Sequence, residues 1–274
     1  MKVSVFTVIM QEFDRPEVVK HLAKLGYHGV EWRVHESGRH IEPAKIVDQA
    51  YQVRTITEDA GLEIANLATY LGPGDLDEIK RVAEGAKKMG GRTFRLMPPW
   101  FDGSVNRRGR RPNYVELCKR TVEELKEVEK LCLDVGLKML FEIHMRNIIP
   151  SASAARRIVS NFDPKAVGVI YDPGNMIYEG MERWLLGLQL LGPYLAHVHV
   201  KNAKWEISKG EPDGNLIWKP TWATLRAGMV NWRQVIDDLK AVGYQGYLSF
   251  EDFSQEKPTL EKLADDLALL RSYL

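Results

Sequence analysis

Short apolar runs alternate with helix-like segments along the whole chain, and the alternation completes eight times. The first four runs are Val3 to Val8, Gly29 to Val34, Glu63 to Ala68 and Arg92 to Met97. The other four end at Glu142, Asp172, His199 and Glu251. Helical patterns fill the spaces at 15–25, 44–60, 75–89, 112–135, 152–159, 181–191 and 231–241, and a last one starts at Leu260. The junction "helix, Gly-Tyr or Gly-Leu, strand" recurs as LGYHGVEW, AGLEIANL, VGLKMLFE and VGYQGYLSF. A strand that always returns through a helix pairs in parallel with its neighbour. Eight such units, with no change of composition between them, predict a closed (β/α)₈ TIM barrel in a single domain spanning 1–274. The segment from Lys201 to Met229 reads as a long insertion after the seventh strand.

Charge and cysteine usage narrow the function classes. Lys and Arg total 38 against 37 Asp and Glu, so the chain lacks the basic excess of a nucleic-acid binder. No stretch approaches the roughly 18 apolar residues of a membrane span. Cys118 and Cys132 fall in one predicted helix, too far apart along its axis for a disulfide. With no signal-peptide pattern at the N-terminus, these features lead us to expect a cytoplasmic protein.

Barrel active sites lie at the C-terminal strand ends. Glu142, Asp172, His199 and Glu251 occupy the same register of four successive strands there. A lone Asp or Glu in such a place is usually a helix cap or a surface charge, and Asp172-Pro-Gly-Asn also reads as a turn. Four at one register instead suggest a centre for one divalent ion, since oxygen donors plus one imidazole suit Mn²⁺, Mg²⁺, Co²⁺ or Zn²⁺. Alternation along the seventh strand puts His197, His199 and Lys201 on one face, with His197 a layer deeper as a hydrogen-bonded interior histidine. His144 shares a face with Glu142 and is either a substrate contact or a loop histidine. Arg95 either pairs with an interior acid or reaches the substrate. Trp32, Trp100 and Phe101 are expected to wall the mouth. Arg107 and Arg108 are either an anion-binding pair or part of a solvated loop. Trp205, Trp218 and Trp222 in the insertion either stack on a sugar or pack the insertion down.

With these residues in view, the chain resembles the xylose isomerase-like TIM-barrel superfamily, in its sugar isomerase/epimerase branch near the ketose 3-epimerases. The likeness is strongest in FEIHMRN, GVIYDPGNM, AHVHVKN and GYQGYLSFEDF. It implies that Glu142, Asp172, His199 and Glu251 hold the metal, with Mn²⁺ the leading expectation, and that Glu142 and Glu251 form the acid/base pair. Glu31 falls on the family's second-strand glutamate. Asn175 stands where many relatives carry a substrate-contacting histidine, and Lys201 and Lys204 stand where many carry an arginine. The substrate-binding set is thus His144, Asn175, Lys201, Arg95, Trp32, Arg107 and Arg108. The expected activity is epimerisation or isomerisation of a ketose or keto-acid sugar. A sugar or inositol-ketone dehydratase is the alternative, and a non-catalytic sugar-binding barrel is a third class. The insertion lacks the histidines of the superfamily's apurinic-site endonucleases, so a small sugar rather than nucleic acid is the expected partner. The resemblance also implies a homodimer or homotetramer.

Overall fold

A computed structural model describes residues 1–101, 111–211 and 213–274. Eight parallel strands close into a barrel: β1 (Lys2–Phe6), β2 (Gly29–Arg33), β3 (Glu63–Ala68), β4 (Thr93–Leu96), β5 (Lys138–Glu142), β6 (Val167–Tyr171), β7 (Leu195–Val200) and β10 (Tyr247–Phe250). β10 closes the ring by pairing with both β1 and β7. Outside it lie α1 (Arg15–Leu25), α2 (Ile46–Asp59), α3 (Leu76–Met89), α4 (Tyr114–Val135), α5 (Ala152–Val159), α7 (Trp184–Leu191), α8 (Trp232–Ala241) and α9 (Thr259–Arg271). The expected (β/α)₈ architecture is therefore present.

Local chemistry sets the helix ends. Asp14 and Glu17 form a reciprocal capping box at the start of α1. Gly136, in the left-handed region at φ 73°, ends α4 and turns the chain into β5. Both cysteines lie in α4 and are free. Among the described residues, no helix is long and apolar enough to cross a membrane.

Two further elements depart from the sequence reading. The insertion holds a two-stranded antiparallel hairpin, β8 (Asn202–Gly210) and β9 (Leu216–Ala223). A short helix, α6 (Pro173–Tyr178), follows β6 where a turn was read. Pro173 opens it, since the first helical residue needs no free N–H.

Strand residues alternate between two packed layers. Val30, Trp32, Phe94, Leu96, Phe141, Val198 and Phe250 join the apolar core against the helices. Each fully buried side chain of this size contributes roughly 1.5–3 kcal/mol. The other face looks into the barrel and is largely polar: Ser4, Glu31, Asn66, Arg95, Glu142, His197, His199 and Ser249 are all buried, with Phe6 stacked on His199 among them. Glu31 on β2 meets His197 on β7 at 2.9 Å, although these strands are not neighbours. That contact can only cross the barrel interior.

Candidate metal centre

The four strand-end residues converge. His199 Nδ1 lies 3.2 Å from Glu142 Oε1, 3.4 Å from Asp172 Oδ2 and 3.4 Å from Glu251 Oε2. One donor atom from each of the four residues lies within 4.8 Å of every other, and all four residues are buried. Bonds of about 2.0–2.2 Å to a divalent ion place its donors roughly 3–4.4 Å apart, so the spacing is close to what one ion needs. The charge balance points the same way. Glu31, Glu142, Asp172 and Glu251 are buried together with two permanent cations, Arg95 and Lys201. The carboxylates outnumber these permanent cations by two, so the cluster attracts further positive charge, from a protonated His199 or from a bound ion. The donor set therefore fits a divalent cation.

Electrostatics within the cluster follow from this crowding. Burial opposes ionisation of Glu142, but Arg95, His199 and Lys201 outweigh it and hold the carboxyl well below its usual range. Burial likewise opposes the charge on Glu251, and Lys201 and His199 reverse that. Burial would also lower His199, yet Glu31, Glu251 and Glu142 hold its imidazole well above its ordinary value.

Asp172 combines a helix cap with a place in the cluster. Its Oδ1 caps α6 by accepting the Asn175 N–H at 2.8 Å, while Oδ2 faces His199. Asn175 is fully buried, and its Nδ2 donates to Glu142 Oε1 at 3.1 Å, Asp172 Oδ2 at 2.9 Å and the Ile143 carbonyl at 3.0 Å. It bridges two carboxylates, and only its Oδ1 lacks a partner among the described residues. Arg95 Nη1 pairs with Glu142 Oε2 at 2.5 Å and Nε donates to the Thr69 carbonyl, leaving Nη2 without a partner among the described residues. His144 is half-buried at the mouth, with its ring edge-on to Trp100 at 5.4 Å. Lys201 is buried and reaches Asp172 Oδ2 at 2.8 Å and Glu251 Oε2 at hydrogen-bonding distance. Arg107 and Arg108 lie outside the described residues.

Trp32 is a correction. It was expected at the mouth, but it is fully buried on the outer side of β2. Its Nε1 donates to Thr57 Oγ1 of α2 at 3.3 Å. Side chains alternate, so Glu31 facing inward forces Trp32 outward. Glu31 is the residue whose role sequence reasoning left unassigned. It accepts from Asn66 Nδ2 at 2.9 Å and touches His199 Nε2 at 3.2 Å through both oxygens. An acid set between Val30 and Trp32 in the middle of the strand, with a Trp that must face the other way, was the available clue. His197 sits one layer below His199 against Glu31, as expected.

The hairpin leans over the mouth. Trp222 packs on Tyr178 and Phe253, and Trp205 Nε1 donates to the Ile177 carbonyl at 2.7 Å. Trp218 is about half exposed.

Comparison with known proteins places the fold. Inosose dehydratase of Geobacillus thermodenitrificans is 22% identical over 167 residues, 56% of this chain and 52% of that protein. The chain thus spans about half the length of that relative. The solved 3-keto-D-glucoside 4-epimerase YcjR from E. coli overlays with a TM-score of 0.76 at 21% identity, covering 99% of both chains. The IOLI protein, solved with a zinc atom, overlays with a TM-score of 0.77 at 16% identity over 100% of this chain and 99% of that one. At such identities the overlays show a shared fold. The sequence matches the xylose isomerase-like TIM barrel family over residues 19–273, and the chain belongs to that family.

Proposed function

We propose that this chain is a divalent-metal-dependent sugar epimerase or isomerase, moving a proton beside the carbonyl of a ketose or keto-acid sugar. One observation carries the reading. Two buried carboxylates from separate strands, Glu142 and Glu251, meet across a shared donor set with Asp172 and His199. In this reading those four side chains hold the ion, with Mn²⁺ first and Mg²⁺, Co²⁺ or Zn²⁺ as alternatives. When bound, the ion supplies a Lewis acid that draws electron density from a carbonyl and its neighbouring hydroxyl. The C–H between them becomes acidic enough for a carboxylate to remove its proton. One of Glu142 and Glu251 takes it, and the other returns a proton to the opposite face. Return to the same carbon epimerises; return to the neighbouring carbon isomerises. Arg95 holds Glu142 Oε2, which leaves Oε1 directed at the site. Asn175 keeps Glu142 and Asp172 in register. In this reading Arg95 Nη2, His144 and the Lys201 ammonium receive substrate oxygens. Trp222, Phe253 and Trp100 offer apolar faces to a sugar ring.

A dehydratase is the second reading, because the curated relatives include an inosose dehydratase. The same proton abstraction followed by loss of a β-hydroxyl gives that product. The test is incubation of Mn²⁺-loaded protein in D₂O with neutral ketoses, keto-acid sugars, sugar phosphates and an inosose, followed by NMR and mass spectrometry. Deuterium next to the carbonyl with unchanged carbon skeleton and oxygen count supports the epimerase or isomerase. A product lighter by one water supports the dehydratase. Absence of exchange across neutral, acidic and phosphorylated sugars would remove both.

A further inference from the structure

On the metal-site reading above, we propose that Lys201 is a tethered cation that competes with the divalent ion for the same three carboxylate oxygens. The atoms are specific. His199 Nδ1 and Lys201 Nζ both converge on Glu142 Oε1, Asp172 Oδ2 and Glu251 Oε2. From Lys201 Nζ the first lies at 3.8 Å, the second at 2.8 Å, and the third is hydrogen-bonded. These oxygens complete the donor set with the imidazole. An ion that takes them meets an ammonium already seated there, and two cations on one set of oxygens repel strongly in a buried site.

The lysine is built into this place. Its stem crosses Gly174 at the start of α6, where an added Cβ would lie 2.5 Å from Lys201 Cγ and 3.1 Å from its carbonyl oxygen. No larger residue fits beneath that stem without moving it. Above the ammonium lie the faces of Trp222 at 5.3 Å and Phe253 at 5.4 Å. These rings give the charge a second set of partners, so the ammonium can leave the carboxylates without becoming an isolated buried charge. On the proposed function, an ammonium displaced toward this aromatic pair would meet a substrate oxygen. Lys201 therefore keeps the metal-free site neutral enough to stay folded and weakens the site's grip on the ion.

The experiment is calorimetric titration of chelator-treated protein with Mn²⁺, for wild type and the substitutions Lys201→Met, Lys201→Gln and Lys201→Arg. Circular dichroism checks that each metal-free protein is folded. The two neutral substitutions are expected to bind Mn²⁺ at least tenfold more tightly than wild type, and Lys201→Arg no more tightly. Thermal shifts give a second readout, because tighter binding raises the stabilisation at a fixed Mn²⁺ concentration. Lys201→Gln keeps a polar group in the site if Lys201→Met folds poorly. Equal or weaker binding by both folded neutral variants would overturn the competition and assign Lys201 to holding the carboxylates in place. That result would leave the metal-site reading standing. Failure of all four proteins to bind Mn²⁺ would overturn both.

Discussion

Replacing Glu31 with Gln isolates the support beneath the metal site. Glu31 Oε2 lies 2.9 Å from His197 Nε2, and both its oxygens lie 3.2 Å from His199 Nε2. A carboxylate only accepts, so it selects the form of His199 with a proton on Nε2. With an ion bound, Nδ1 would then be the ligand atom, on the side of Glu142, Asp172 and Glu251. Gln keeps the shape but loses the charge and puts an NH₂ donor against one of these histidines. A hydrogen bond to a charged group contributes about 1.5–3 kcal/mol. Loss of a group that orients a metal-bound histidine costs about 10–100-fold in metal affinity, or about 1.4–2.7 kcal/mol. The two ranges agree, so Mn²⁺ affinity should fall by about 10–100-fold in the Glu31→Gln protein. Calorimetric titration reads the loss, and circular dichroism confirms the barrel. A folded Glu31→Gln protein that binds Mn²⁺ as tightly as wild type would refute the orienting role.

Two other predictions follow from burial. Trp32→Ala should destabilise the protein by about 3–5 kcal/mol in a denaturant titration while leaving Mn²⁺ affinity within twofold, as fits a core residue; a large loss of affinity in a stable protein would return Trp32 to the site. Burial and the neighbouring Asp252 charge push the Asp266 carboxyl up to about 8, well above its unfolded value. The folded state therefore holds a proton the unfolded chain has lost, so this contribution is complete at low pH and disappears as pH rises through about 8. Thermal unfolding of wild type and Asp266→Asn from pH 5 to 9 should show a flatter decline in the substituted protein, by up to about 1.4 kcal/mol per pH unit; parallel curves would contradict the assignment.

Periodicity carried most of the architecture. Glu63–Ala68 and Ala152–Val159 coincide with elements of the structure; Gly61 closes the helix before the first, and the Ser151 side chain caps the second. The four metal-site candidates were legible from register alone, since parallel strands bring their C-terminal ends to one face. Facing was less legible. Glu31 and Trp32 are adjacent, and deciding which looks inward requires knowing that the barrel interior is polar. The hairpin was hidden because its register shifts between Ile207 and Lys209, which breaks the alternation that marks a strand. α6 was hidden because Asp-Pro-Gly-Asn serves equally as a turn and as the start of a helix. The seat of Lys201 among the carboxylates was beyond periodicity altogether: spacing tells which face a side chain shares, not how far it reaches.

Crystals soaked in Mn²⁺, with anomalous scattering recorded at the manganese edge, test the central claim most directly. The account predicts one strong peak bounded by Glu142, Asp172, His199 and Glu251, with His199 contributing Nδ1 and Lys201 Nζ withdrawn toward Trp222 and Phe253. An anomalous peak at Glu31 and His197, or none within reach of the four side chains, would contradict it.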